Sequence, residues 1–473
     1  MSHPSGKTVR RPTVKSYGFG WRHLQLFLVF LAIALGYVLR SNLSVCIVEM
    51  TNPNATEFTT YDWSSEERHV VLSSFFWGYV VTQVPSGYLT ARLGPKWLML
   101  AGVSGPAALS AVTPLVADWG GWQLLTASRV LQGLLQGAIF PATHAMLSRW
   151  SPPGERSGHT ALTYNGMSVG TVVGMASSGL LAATPGLGWP SAFWLPGLLG
   201  LAWAVVWVVV AANAPASSRH VSREEREYIE ESFGDTSSKE EHLAVPWRAI
   251  MTSVPMWALI VVHSGHNWGH WMLLTEMPDY MKAVQRFNIQ ANGLYSALPY
   301  LCLIGTSLLV AWLSQVINTR RLLSLQMSRK IFQSAAHWGA GTAMLVLALV
   351  DVDQATAVAL LCVAVAVEAG TLAGFLCNLI DLSPNFSGAM MGVSGGAGAL
   401  VAVVAPLIVG AITGEEDSLS HEEVTTRWNT VFILTACIYY IGNLVWVFFS
   451  SFEVQPWNNV ASKTEVEPVQ NNS

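Results

Sequence analysis

Two arginines lie in stretches that otherwise read as lipid-spanning. Arg40 sits in LQLFLVFLAIALGYVLRSNLSVCIV and Arg129 in WQLLTASRVLQGLLQGAIFPATHAML. A guanidinium cannot shed its proton, so each is a fixed positive charge inside hydrocarbon, costing roughly 2.5–3.5 kcal/mol on insertion scales. Such residues face a protein interior or a watery path, and a route for anions is the reading they invite. The alternatives are a carboxylate partner on a neighbouring helix or snorkelling to an interface. Apolar residues on both sides of Arg40 disfavour snorkelling there. Around Arg129, the residues Gln132, Gly133, Gln136, Phe140 and Thr143 recur at three- and four-residue steps and share a helix face. That face is either a cavity wall or helix–helix glue. Tyr37, Arg40 and Ser44 make a shorter stripe of the same kind. Two arginines from different helices can clamp a carboxylate or a phosphate.

Three histidines and one acid complete the set. His263, His266 and His270 fall within about 60° of one another on a helix. His263 and His270 are about 10 Å apart along its axis at 1.5 Å per residue, so one ion cannot take all three and no metal site is expected. His266 is kept as a contact for substrate or proton in an aromatic-rich cavity; a satisfied core histidine is the alternative. Glu368, in VAVAVEAGTLAGF, is the acid nearest the middle of a span. A carboxyl group out of water suits proton coupling. It equally suits a structural partnership with one of the arginines. Asp381 and Glu276 lie near helix ends, where solvation is as reasonable as pairing.

These residues need a membrane scaffold to hold them. The chain has 473 residues, 51% hydrophobic and 11% charged, against about 25% charged in soluble domains. Runs of about 20 apolar residues predict an all-α membrane protein with twelve spans: 24–48, 70–91, 97–117, 122–147, 160–183, 190–212, 252–278, 293–317, 331–350, 355–381, 388–413 and 428–451. With both termini cytoplasmic, 19 of the 25 Lys and Arg fall on the cytoplasmic side and four outside, a strong positive-inside bias. Asn54, in an Asn-Ala-Thr sequon, is then external and open to glycosylation, whereas Asn42 of Asn-Leu-Ser is in a helix. The first apolar run follows a basic lead without a small-residue cleavage site and reads as a retained helix. All five cysteines lie in spans and their number is odd, so packing rather than a disulfide framework is expected.

The organisation is a cytoplasmic tail (1–23), a six-helix half (24–212), a linker (213–251), a second six-helix half (252–451) and a second tail (452–473). Within the linker, SREEREYIEE begins with a Ser N-cap and mixes charges at helical spacing, predicting a short surface helix. Two six-helix halves with a charged linker are the layout of the major facilitator fold, whose site lies between the halves. The run from Gly87 to Lys96 resembles that fold's cytoplasmic turn, although Ala91 stands where the acid should be.

Longer motifs narrow the resemblance. YVLRSNLSVCIVEM, SSFFWGYVVTQVPSGYL, RVLQGLLQGAIFPATHAMLSRWSPPGERS, NGLYSALPYL, NLIDLSP and EVQPW together resemble the anion:cation symporters of the major facilitator superfamily, over about 21–457. That family includes type I sodium-phosphate cotransporters, sialin and vesicular glutamate transporters. The resemblance implies that Arg40 and Arg129 act in anion binding and gating. Gln136 stands where sialin- and glutamate-type members carry a glutamate linked to proton coupling. Leu72 stands where vesicular glutamate transporters have a histidine, and His266 where they have a third arginine. Leu379 replaces the histidine of an Asn-His-Leu-Asp motif whose Asn378 and Asp381 remain. These departures count against a vesicular glutamate transporter and leave Glu368 as the replacement coupling group.

The expectation is therefore a twelve-helix secondary transporter of small anions, either phosphate or organic carboxylates including acidic sugars, working by alternating access with Na⁺ or H⁺. The alternatives are an uncoupled facilitator or exchanger, or a receptor or channel on the same scaffold. Substrate contacts are expected from Tyr37, Arg40, Arg129, Gln136, His266 and Asn378. No enzymatic activity, cofactor or nucleic-acid partner is expected, and the unit is a monomer in the bilayer. No acidic dileucine-like signal is visible in residues 1–23, which favours the plasma membrane over lysosomes or vesicles.

Overall fold

The computed structural model describes residues 18–51, 58–233, 244–286, 289–413 and 420–459, so Asn54 lies outside the described residues. Every regular element among them is helical. The first half contains α1 (Trp21–Met50), α2 (Ser65–Leu93), α3 (Pro95–Ala111), α4 (Thr113–Gln136), α5 (Ile139–Trp150), α6 (Arg156–Tyr164), α7 (Gly166–Ala183) and α8 (Gly188–Val210). The linker holds α9 (Arg223–Phe233) and α10 (Trp247–Met251). The second half contains α11 (Val254–Ala283), α12 (Ile289–Thr319), α13 (Leu325–Leu349), α14 (Gln354–Val367), α15 (Gly370–Ala373), α16 (Phe375–Leu382), α17 (Ser387–Thr413) and α18 (His421–Phe449).

Joining α4 to α5, α6 to α7, and α14 through α16 gives twelve rods matching the twelve predicted spans. Among the described residues, six stretches are apolar and long enough to cross a membrane unaided, and a seventh forms if α3 is joined to α4–α5 across an 81° bend. Of the others, α2 and α13 carry polar side chains: Gln83, Ser86 and Thr90 on α2, and Arg329, Gln333 and His337 on α13. All six are buried, which is where polar groups of a spanning helix belong. The lipid-facing surface is the reverse, with Leu198, Val205, Val209, Leu309, Trp312, Leu407 and Ile441 exposed. Gly121 (φ +56°) is the turn that ends the third rod and begins the fourth inside α4. Three rods break in mid-course, the fifth at Asn165 between α6 and α7. The fourth breaks just after Gln136, and the tenth breaks at Glu368, the C-cap of α14.

The halves meet chiefly through α17 against α2 and α5, and α12 against α6. Close approach needs Gly87: a Cβ there would lie 2.9 Å from the Ala389 backbone of α17. Gly94 (φ +83°) makes the turn between α2 and α3, and Asn213 Oδ1 accepts from the Lys96 amide at 3.0 Å. The predicted linker helix forms, with Ser222 Oγ accepting from Glu225 N at 3.1 Å. It docks rather than floats. Glu225 accepts from the Trp21 and Arg22 amides at 2.8 and 2.9 Å, placing a carboxylate on the positive end of α1. Glu155 receives Arg22 Nε at 2.8 Å and the Tyr228 hydroxyl at 2.9 Å. Burial pushes the Glu155 carboxyl up, but the Arg22 hydrogen bonds and the neighbouring His159 and Arg22 charges hold it below its usual value.

Candidate functional site

Arg40 points into the space between the halves and is wrapped in rings. Its guanidinium carbon lies 4.4 Å from the Phe76 ring, 4.8 Å from Phe75, 5.2 Å from Trp271, 5.4 Å from Tyr79 and 5.5 Å from Tyr37. Four of these come from α1 and α2; Trp271 reaches across from α11 and packs edge-on to Phe76 at 5.8 Å. Arg40 lines a small cavity, about 10 Å³, with Gly36, Tyr37, Tyr79, Gln136 and Phe140. Gln136 donates to the Gly36 carbonyl at 3.2 Å, so the break after α4 brings that amide onto α1.

Arg129 lies beside this cavity, buried, and its fork is directed at neutral acceptors. Nη1 donates to Gln132 Oε1 at 2.8 Å and to the Leu39 carbonyl at 3.4 Å, and Nη2 to the Arg40 carbonyl at 3.2 Å. Neither arginine has a carboxylate within ion-pair distance among the described residues. The carboxylate partner that would have made them structural is absent there. Arg40 Nη2 and Arg129 Nε are buried without a hydrogen-bond partner, and a buried charged donor left unpaired is costly. An anion that accepted from both would remove that cost.

Glu368 takes up neither arginine. Its Oε1 accepts from the Tyr439 hydroxyl of α18, and its Oε2 lies 3.1 Å from His270 Nδ1 on α11. His266 is one turn away, its ring 5.7 Å from that of His270 and 6.0 Å from that of His337, and His337 in turn packs 4.7 Å from Tyr439. His266 therefore belongs to a histidine–carboxylate cluster of the second half, not to the arginine cavity. His263 is apart, packed on Phe375. Asn378 is at neither place: it is buried near the cytoplasmic end and donates to the Ser451 carbonyl at 2.7 Å, tying down the chain after α18.

A third constellation stands out from the structure rather than from the sequence. Asp381, read as a residue that solvent could reach, is buried between two arginines. Oδ1 receives Arg156 Nη1 at 2.6 Å from the first half, and Oδ2 receives Arg329 Nε at 2.8 Å. Arg329 also donates to Ser157 Oγ, which receives Asn318 Nδ2 at 3.0 Å. With the approach at Gly87, these bonds brace the two halves together at one end of the bundle. The Glu-Arg-Ser run at 155–157 and the acid at 381 were visible in the sequence; their meeting was not, since nothing local links positions 225 residues apart.

Comparison with known proteins agrees with this architecture. Residues 26–336 match the family model of the Major Facilitator Superfamily. A Drosophila melanogaster protein described as "Putative inorganic phosphate cotransporter" is 34% identical over 465 residues, covering 93% of this chain and 87% of that protein. Human sialin is 32% identical, covering 92% of this chain and 90% of its own length. Human vesicular glutamate transporter 2 is 31% identical, covering 95% and 77%. Among solved structures, the proton:xylose symporter XylE superposes with a TM-score of 0.66 at 15% identity, covering 91% of this chain and 97% of that one. At that identity the likeness speaks for the fold. The chain is a secondary transporter of the major facilitator superfamily, in the group that contains sialin and the vesicular glutamate transporters.

Proposed function

We propose that the protein carries small anions, inorganic phosphate or organic carboxylates including acidic sugars, through the cavity at Arg40 and Arg129. The observation that carries this reading is two guanidiniums, that of Arg129 buried and that of Arg40 half-buried, each with a buried orphaned N–H group and no carboxylate partner among the described residues. Tyr37 and Gln136 shape the same cavity. The relatives named for phosphate, sialic acid and glutamate all take anions, which fits a fixed positive site.

The coupling ion is proposed to be H⁺, with Na⁺ the alternative to be tested beside it. Gln136 cannot titrate. Glu368 holds the corresponding place in the second half: Gln136 ends α4 at the break of the fourth rod, and Glu368 caps α14 at the break of the tenth. The two halves of this fold are repeats, so the carboxylate is present at the place equivalent to the one the glutamine occupies. Its contacts with His270 and Tyr439 give a proton somewhere to go. A carrier without coupling is the second reading, and Gln136 is the observation that favours it. We place the carrier at the plasma membrane.

Uptake by proteoliposomes tests these readings together. Labelled phosphate, sialic acid, glucuronic acid and glutamate are offered under separate pH, Na⁺ and voltage gradients. Saturable uptake with counterflow is expected, driven by the pH gradient. Flux that neither saturates nor shows counterflow refutes a carrier, and saturable uptake indifferent to all cation gradients refutes coupling.

A further inference from the structure

We infer that the second half contains a binding site for a divalent transition-metal ion, with Zn²⁺ as the reference ion, formed by His266, His270 and Glu368. One ligand atom from each residue lies within 4.8 Å of those of the other two. Two imidazoles and a carboxylate are a donor set that zinc accepts, with a fourth position left open. The residues come from two elements. His266 and His270 are four apart on α11 and project from one face, while Glu368 comes from the break between α14 and α15.

The spacing is close to what the ion needs. Bonds of about 2.0–2.1 Å in a tetrahedron put donor atoms roughly 3.3–3.4 Å apart. His270 Nδ1 and Glu368 Oε2 are already 3.1 Å apart. His266 completes the set with a movement of about 1–1.5 Å, within the reach of a side-chain rotation. The supporting contact that such sites use is also present. Tyr439 donates to Glu368 Oε1, fixing the carboxylate and leaving Oε2 for the ion.

A second observation points to a ligand independently of this spacing. His337 is fully buried, stacks on His266, and neither of its ring nitrogens has a hydrogen-bond partner; His266 Nδ1 is unpartnered as well. Buried polar groups in native proteins are nearly always paired. An ion held by His266 and His270 would give the unpartnered His266 ring nitrogen's lone pair an acceptor. The ion would tie α11 to the α14–α15 break. It competes with protons for the same imidazoles and carboxylate, so binding weakens as pH falls.

The inference stands on the geometry of this cluster and not on anion transport. The test uses the full chain in lipid nanodiscs, stripped with EDTA and titrated with ZnCl₂ by calorimetry, with metal content counted after desalting. One Zn²⁺ per chain is expected, with affinity at least tenfold lower in His266→Gln and in His270→Gln. His270→Cys, which supplies another zinc ligand, should restore binding, a recovery that a merely structural histidine would not show. His159→Gln removes a ligand from the other grouping, His23, Glu155 and His159 at the cytoplasmic face, and should leave binding unchanged. Should His270→Gln fail to fold, the His266→Gln and His270→Cys results decide. No retained zinc, undiminished binding in the His266 variant, or loss in His159→Gln instead would each overturn the site. Anion uptake by a chain that binds no zinc would leave the proposed function intact, and zinc binding by a chain that carries no anion would do the reverse.

Discussion

Arg156→Met removes the ion pair that joins the halves while leaving the pair inside the second half, and the bonds from Arg329 and Asn318 to Ser157, in place. Asp381 keeps Arg329 at 2.8 Å, so the carboxylate is not orphaned; what is lost is the 2.6 Å bond from the first half. A hydrogen bond to a charged group contributes about 1.5–3 kcal/mol. That bond is made across halves that must part for the cytoplasmic side to open, so its loss acts on the equilibrium between the two facing states. The expected shift towards the open state is about 10- to 150-fold, from RT of about 0.6 kcal/mol. Ser387→Cys provides the reporter. Ser387 is buried at the start of α17, and its hydroxyl lies 3.3 Å from the His144 carbonyl of the first half. In inside-out vesicles, an impermeant maleimide should label this cysteine at least tenfold faster in the Arg156→Met background. Asp381→Asn should act more strongly, because it removes the negative charge between two buried guanidiniums, and breaking a buried ion pair costs about 3–5 kcal/mol. Equal labelling rates with and without Arg156, in a chain that folds and inserts, would refute the idea that this contact holds the cytoplasmic side shut.

Arg129→Ala should abolish anion uptake with near-normal expression, and Arg129→Lys should rescue only part of it, because lysine keeps the charge but cannot reach the Leu39 and Arg40 carbonyls and an anion together; wild-type uptake in the alanine variant would remove Arg129 from the mechanism. Arg40→Gln should raise the KM for anion uptake roughly 10- to 100-fold through loss of a charge-assisted hydrogen bond, measured in proteoliposomes; an unchanged KM would refute its contact with substrate. Glu368→Gln should uncouple uptake from a pH gradient yet spare exchange at equal anion concentrations, and pH-driven accumulation that persists in this variant would sink Glu368 as the coupling group. The docking of α9 should loosen in acid. The Glu155 carboxyl is held below its ordinary value in the folded protein, so its contribution is present above the usual carboxylate range and is lost as pH falls through the folded value. Amide exchange in α9 should rise in that direction; exchange that is flat across the acid range would contradict it.

The pattern of apolar runs anticipated an all-helical fold, because crossing hydrocarbon imposes a length and composition on each span. The polar stripe on the fourth span also proved informative: Arg129, Gln132 and Gln136 are all buried, with Leu131 turned outward. The partners of these residues were not legible. Glu368 was equally compatible with an arginine or a proton, and its contacts turned out to be His270 and Tyr439, which arrive from positions 98 and 71 residues away. Asn378 belonged to a recognised motif, yet it holds the segment after α18 instead of the cavity. Asp381, at a helix end, fitted solvation and pairing equally well; the approach of the two halves buries it. In each case the missing information was which rods meet and at what height, a property of tertiary packing that helical periodicity does not carry.

The two halves carry opposite charges into the membrane, and the way each is held bears on how an empty carrier can turn over. In the first half, Arg40 and Arg129 are surrounded by rings and backbone carbonyls. Cation–π contacts contribute about 0.5–2 kcal/mol each, enough to keep a guanidinium in place without neutralising it. An internal carboxylate would hold the arginines more firmly, but an arriving anion would then have to displace it. Neutral acceptors leave the positive charge available, so the anion itself becomes the counterion. In the second half, Glu368 is surrounded by a hydroxyl and imidazoles, groups that can pass or share a proton. Anion binding removes net charge from one half and protonation removes it from the other. With hydrocarbon penalising each uncompensated charge, the state with both sites filled should pass most readily between the two facing conformations. Under the proposed proton coupling, a fixed cation pair and a titratable carboxylate in different halves of one fold would supply this thermodynamic requirement for symport.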